Sequence, residues 1–314
     1  MKTIVFWDNY LCERGTTVSL FDYAYYNKTI LNNKSIIMYN TSSTLNQNDV
    51  IEKFKVHFNV IGVNHFSKVD SILLDQKCDI FYIIKAGDND GQISRVCKNV
   101  VHCVFSSNQP HGSVYSTIAP WVAGNNGRYP VVPHMINLPD HNKNMRKELN
   151  IPAEAIVFGR HGGYGQFDIP FVHKVVHDVA EANPHMVFLF LNTKPFCKEL
   201  PNIIHLPKII DLDKKVEFIN TCDAMLWARS DGEVMSLSMA DFSFKNKPII
   251  CMNIGYPGHV HLLGDKAIWY SDANSLSKIL LTYDKHKNAA LDWNAYKEYT
   301  PEKVMAIFKR VYID

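Results

Sequence analysis

Long apolar runs are missing from this 314-residue chain; none approaches the roughly 20 residues that a transmembrane helix needs. Charge of one sign is missing too. The 33 Lys and Arg against 31 Asp and Glu leave a net +2, and no basic run is interleaved with aromatics. Strong electrostatic attraction to nucleic acid is therefore excluded. The seven cysteines (Cys12, Cys78, Cys97, Cys103, Cys197, Cys222 and Cys251) form no C-x-x-C pair. They read as reduced thiols, several inside apolar strands, and not as a disulfide framework or a zinc site. The N-terminus lacks the apolar core of a signal peptide and reads directly as a strand. Asn27-Lys28-Thr29 and Asn40-Thr41-Ser42 match glycan acceptor sites, but a chain kept in the cytoplasm never meets that machinery.

What is present suits a soluble α/β protein. Hydrophobic residues make up 46% and charged residues 20%. The length suits two domains of about 150 residues each. Strands are expected at 3–7, 35–39, 57–61, 79–84, 99–105 and 128–134, with helices at 16–31, 43–55 and from Ser67 to Leu74, where Ser67-x-x-Asp70 suggests a cap. The second half repeats the alternation, with strands at 155–159, 186–191, 203–206, 224–228, 248–252 and 267–270. Such alternation predicts parallel, doubly wound sheets. The expected division is 1–137, 138–294, and a closing helical segment 295–314 that packs back on the first domain. Ligands of open α/β sheets bind beyond the carboxyl ends of the strands, so the loops there are the candidates for chemistry.

The most informative stretch is Asp231–Pro248, DGEVMSLSMADFSFKNKP. Apolar runs flank it at 224–228 and 248–252, while Leu237, Ala240, Asp241 and Phe244 recur at helical spacing between them. A helix starting near Met235 aims its free N–H groups at the preceding loop and makes an anion site. Glu233 lies in that loop and Asp241 about two turns on. The pair suits a diphosphate with hydroxyls to either side, which is the shape of a nucleotide-sugar.

This stretch resembles the acidic signature of the retaining glycosyltransferases of the GT-B fold, glycosyltransferase group 1 or family 4, which read E-G-F-G-L-x-x-x-E. Glu233, Leu237 and Asp241 hold that pattern; Val234, Met235 and Ser236 replace Gly-Phe-Gly, and Asp replaces the second Glu. The resemblance implies two Rossmann-like domains facing a cleft, with Ser236, Leu237 and both carboxylates at the donor. In the family a strand ending in Gly-Arg is followed by a Lys, and both cations neutralise the leaving diphosphate. Gly159-Arg160 match, but no Lys lies between 161 and 167, where His161 is a candidate substitute. The loop FGRHGGYGQF at 158–167 does not fit G-x-G-x-x-G, so a dinucleotide fingerprint is not supported. Pro207 and Ile209 fall where relatives hold the base. The first βα loop, with Arg14, Gly15 and Thr16, suits close approach to phosphates or acceptor, and Thr16 can cap the helix. The family also places a His near the reacting sugar at the end of a strand of the first domain. His102 is the better match, and His111 is the rival. Asp88-Asn89-Asp90 has a metal-nucleotide D-x-D form but sits between Gly87 and Gly91, a turn composition, and reads as a solvated turn.

The expectation is a retaining, metal-independent transfer from a nucleotide-diphosphate sugar, UDP- or GDP-linked, to a glycan, lipid or protein-linked acceptor. His102, Arg160 and Glu233 carry the catalysis, with Arg14 and His111 on the acceptor side. The donor is a co-substrate, so no cofactor or metal is expected. The rivals are a nucleotide-sugar epimerase or hydrolase on the same fold, and a non-catalytic relative that binds nucleotide-sugar or glycan. Richness in Asn, Lys and Ile points to an AT-rich genome of protist or viral type, including giant viruses, and hence to a cytoplasmic location, the host's if viral. Sugar, base, acceptor and oligomeric state stay open.

Overall fold

Thr3–Asp8 (β1) is buried from Ile4 onward, as a strand covered on both faces must be. After it come α1 (Gly15–Thr29), β2 (Lys34–Asn40), α2 (Asn48–His57), β3 (Asn59–Val63) and a short 3-10 turn at Phe66–Lys68. Then follow α3 (Val69–Asp75), β4 (Ile80–Lys85), β5 (Lys98–Cys103) and β6 (Val114–Thr117). The six strands pair in parallel in the order β3-β2-β1-β4-β5-β6. The order reverses between β1 and β4, which leaves a crevice at their carboxyl ends. The computed structural model describes all 314 residues, which divide into two units, Met1–Met135 with Tyr299–Asp314, and Ile136–Glu298.

The second unit runs β7 (Ile156–His161), α4 (Pro170–Ala182), β8 (Met186–Leu191), β9 (Ile203–Leu206), α5 (Leu212–Thr221), β10 (Ala224–Leu226) and β11 (Gly232–Glu233). It continues through α6 (Leu237–Phe244), β12 (Ile249–Met252), β13 (Tyr256–Pro257), α7 (Gly258–Leu263), β14 (Ile268–Tyr270), α8 (Ala273–Leu281) and α9 (Lys285–Ala289). Six strands again pair in parallel, as β14-β12-β10-β7-β8-β9, with β11 and β13 forming a separate two-stranded piece. Counted within the unit this is the same order as the first sheet, and its reversal falls between β7 and β10. The core joins Phe158, Phe188, Phe190 and Leu226 of the strands to Val172 and Val176 of α4 and Leu276 of α8. No helix is long and apolar enough to cross a membrane.

Three local expectations are corrected. Residues 128–134 are not the last strand of the first sheet; β6 takes that place, and Val131 contributes a single bridge to Thr117. Pro130 and Pro133 have no N–H to donate to a ladder. The second helix starts at Asn48, not near Ser43, because the Asn46 amide bonds the carbonyls of Asn40 and Ser43 and its Oδ1 accepts from Leu11 N. Those local bonds compete with helical ones. Ser67 does not cap α3: His65 accepts from Ser67 N, and Asp70 inside α3 accepts from Ser94 Oγ at 2.8 Å.

The chain closes with α10 (Pro301–Phe308), entered at Thr300 with Pro in the first turn, and a π-helical turn at Lys309–Ile313. Within the first unit Phe308 stacks on Tyr23 at 5.5 Å, and the Tyr312 hydroxyl lies 2.6 Å from Ser116 Oγ. His102 sits inside this cluster, fully buried, with the Tyr82 hydroxyl 2.7 Å from its Nδ1. Burial, with His134 nearby, pushes His102 down to about 3, and burial does the same to His134.

Because the folded pKa lies below the unfolded value of about 6.5, this stabilisation is complete above pH 6.5 and is lost as pH falls towards 3. His102→Asn is expected to flatten the fall of unfolding free energy between pH 6 and 4 by close to one proton, about 1.4 kcal/mol per pH unit. Urea unfolding across that range measures it, and an unchanged slope would contradict a buried neutral imidazole.

Candidate functional site

β7 is the strand at the reversal of the second sheet, and its last two residues are Arg160 and His161. The Arg160 side chain is buried, 3% exposed, and braces the turn that follows. Its Nη1 donates to Thr193 Oγ1 at 2.6 Å and to Asn192 O at 3.3 Å, and its Nη2 donates to Gly163 O at 2.9 Å. Asn192 is left-handed (φ 49°), which Asn tolerates, and its amide donates to Gly162 O at 2.9 Å. All three Arg160 acceptors are neutral. Burial lowers the guanidinium to about 10, opposed by Glu233, so it keeps its charge at neutral pH. Of the four glycines, Gly159 lies within the strand, where a Cβ would meet Cys222 Sγ at 2.2 Å. That glycine serves packing, not loop flexibility.

The neighbouring strand β10 is followed by Trp227-Ala228-Arg229 and the turn Ser230-Asp231 before Glu233. Gly232 makes that turn possible: its φ is +72°, and a Cβ there would meet Tyr256 N at 2.2 Å. Glu233 is thereby held back against the strand end. Trp227 Nε1 donates to its Oε1 at 3.2 Å and Arg229 Nη1 to its Oε2 at 3.2 Å. Burial raises the Glu233 carboxyl, opposed by Arg229, Trp227 and Arg160. Arg229 also lies 3.5 Å from the exposed Asp231, and its buried Nε has no acceptor. The expectations above do not include Arg229; a cation directly after an apolar strand and before the signature carboxylate is the signal that could have found it.

The signature helix α6 begins at Leu237, two residues later than expected. Ser236 is its cap, accepting from Met239 N at 3.4 Å. The first-turn N–H groups of Leu237 and Ser238 have no carbonyl above them, as at every helix start. Asp241, further along α6, is already engaged: Lys215 of α5 donates to its Oδ2 at 2.8 Å. His161 Nε2 lies 3.4 Å from the same oxygen without a hydrogen bond; burial and the Lys215 and Arg160 cations hold this imidazole neutral. Burial raises the Asp241 carboxyl and Lys215 opposes it. The second unit thus brings together Arg160, Arg229 and Glu233 around the ends of β7 and β10, with Ser236 three residues further along the chain, and sets His161 beside Asp241. Pro207 and Ile209 follow β9, two strands from β7.

The first unit presents two clusters at its own reversal. Arg14 precedes α1 and pairs with the buried Asp8, its guanidinium 3.5 Å over the Tyr10 ring. Gly15 and Thr16 are the first residues of α1, so Thr16 is not its cap; Thr17 binds Asp8 Oδ2 at 2.7 Å instead. At the end of β4 the buried Lys85 pairs with Asp90 and lies 3.4 Å from Nε2 of His111, whose Nδ1 donates to Gln109 O at 2.7 Å. Asp90 is therefore not a freely solvated turn residue. His111 is partly exposed, whereas His102 is fully enclosed.

No family model matches the sequence, and no curated protein matches it. Solved structures do. HepE from Anabaena, in complex with UDP-glucose, superposes with a TM-score of 0.74 at 13% identity over 99% of both chains. A glycosyltransferase from Rickettsia africae gives 0.68 at 13% identity over 99% of this chain and 98% of that one. WaaG, a glycosyltransferase involved in lipopolysaccharide biosynthesis, gives 0.67 at 10% identity over 99% and 100%. At such identities the likeness shows the fold, two parallel six-stranded sheets of the GT-B type.

The Lys215–Asp241 pair yields a direct test. Lys215→Met leaves a buried carboxylate without its cation and is expected to cost about 3 kcal/mol of stability. Adding Asp241→Asn recovers part of that loss. A urea double-mutant cycle with strictly additive effects would show that the two do not interact.

Proposed function

We propose that this chain is a glycosyltransferase that draws its sugar from a nucleotide-diphosphate sugar bound by the second unit. The observation that carries the reading is an excess of positive charge at the reversal of that unit's sheet. Two guanidiniums, the buried Arg160 and the partly buried Arg229, act on one partly buried carboxylate, Glu233; Asp168 and Asp231 are exposed and screened by water. A buried cation without a matching anion is costly, and a diphosphate would match it. The start of α6 adds partial positive charge to the same loop.

In this reading the departing diphosphate is stabilised by Arg160, Arg229 and the first N–H groups of α6, without need of a divalent ion. Arg229 supplies the second cation that residues 161–167 lack. Glu233, fixed by Trp227 and Arg229, accepts hydrogen bonds from sugar hydroxyls and is not a nucleophile, so retention requires the acceptor oxygen to attack the face that the diphosphate leaves. UDP-glucose is the first donor to try, because HepE binds it. Ser236 and Leu237 approach the diphosphate, and Pro207 and Ile209 the base. The role given above to His102 passes to His111, which is partly exposed, while Arg14 serves the acceptor.

The engagement of Asp241 by Lys215 favours one second reading, a relative that binds the nucleotide without transferring a sugar. A thermal-shift and turnover screen of UDP-, GDP-, ADP- and TDP-sugars, with and without EDTA, separates the two. Stabilisation by one donor is expected, with slow EDTA-insensitive hydrolysis that Glu233→Gln lowers about 10²-fold or more. Stabilisation without turnover selects the binding relative, and no shift with any donor overturns the donor site.

A further inference from the structure

Cys78 and Cys97 precede two adjacent strands, β4 and β5, and their sulfurs lie 3.9 Å apart at the amino-terminal edge of the first sheet. The strands pair from Ile80 with Lys98 onward, so the two thiols stand side by side where the ladder begins. Each has a second contact: Cys78 Sγ lies 3.1 Å from Ile80 O, and Cys97 Sγ lies 3.7 Å from Ser94 Oγ. Both are partly exposed and are flanked by exposed residues, Lys77 and Asp79 on one side and Arg95 and Val96 on the other. Of the remaining cysteines, Cys12, Cys103, Cys222 and Cys251 are buried, and Cys197 belongs to the other unit.

We propose that Cys78 and Cys97 form a dithiol modification site that closes reversibly to an intramolecular disulfide. The sulfurs already touch, and a bond of about 2.05 Å needs an approach of about 2 Å, within reach of the segments that lead into the strands. Electronics agree with the geometry. The neighbouring Cys78 S–H holds the Cys97 thiol down to about 7, while Cys78 itself is raised by sharing its proton. The first attack is assigned to Cys97, the thiol held lower of the two. With a disulfide of the glutathione class as oxidant, Cys97 thiolate attacks one of its sulfurs and releases one glutathione thiolate. Cys78 then gives up its proton and displaces the second glutathione from Cys97. Two protein thiols are oxidised and one small disulfide is reduced to two thiols. The bond closes a loop of chain that contains β4 and the crossover bearing Asp90, the partner of Lys85.

The test is oxidation of the folded chain with graded ratios of glutathione disulfide to glutathione, followed by alkylation and intact-mass and peptide analysis. The expected product has two of its seven thiols protected, in one peptide pair linking Cys78 to Cys97, and it melts a few degrees higher than the reduced form. Dithiothreitol restores all seven. Cys78→Ser halts at a single glutathione adduct on Cys97, and Cys97→Ser forms no linkage. Both thiols still alkylating in the oxidised wild-type chain, or a lasting adduct on Cys97 with Cys78 present, would overturn the proposal. Because the wild-type chain supplies the decisive readout, poor folding of a serine variant does not blunt it.

Discussion

A guanidinium buried with only neutral acceptors in contact is the constraint on which the second unit's carboxyl edge depends. Arg160 is anchored by Thr193, Asn192 and Gly163, so its charge cannot swing out to water, and the Glu233 carboxylate is the main charge favouring it. Glu233 is itself shared with Arg229 and Trp227. The resulting balance, two cations for one partly buried anion, is stable only with help from solvent or from an anion bound beside them. Gly232 and the β11–β13 pairing hold the turn that keeps Glu233 there, and Ser236 sets where α6 begins.

Both sheets use the same strand order, and that order decides where chemistry can be placed. At a reversal, neighbouring strands send their connections to opposite faces, and the carboxyl ends between them are left uncovered. In the first unit this exposes the Asp8–Arg14 and Lys85–Asp90–His111 clusters; in the second it exposes Arg160, Arg229 and Glu233. Core polar residues lie elsewhere. His102, with Tyr82, Tyr23 and Tyr312 around it, lies enclosed in the first unit's interior and apart from solvent.

Much of this was legible in the sequence, for definite reasons. Apolar runs such as Met186–Leu191 mark buried parallel strands, and the acidic signature marked the loop and helix after β10. What was missed turned on side-chain competition that periodicity does not report. Asn46 diverted the start of α2, and Pro130 and Pro133 removed 128–134 from the ladder. In the site, strand position alone favoured His102, but an apolar strand end can lie inside a core as readily as at an edge. Arg229 and Lys215 escaped notice because their importance is relational: each matters through a carboxylate on another element. The closeness of Cys78 and Cys97 is a property of strand pairing, invisible in their spacing.

The most direct measurement is a crystal structure of the chain grown with UDP at saturating concentration. The account predicts diphosphate density within hydrogen-bonding distance of Arg160 or Arg229 and of the first N–H groups of α6. Well-ordered UDP bound elsewhere, with the Arg160–Arg229–Glu233 cluster untouched, would contradict it.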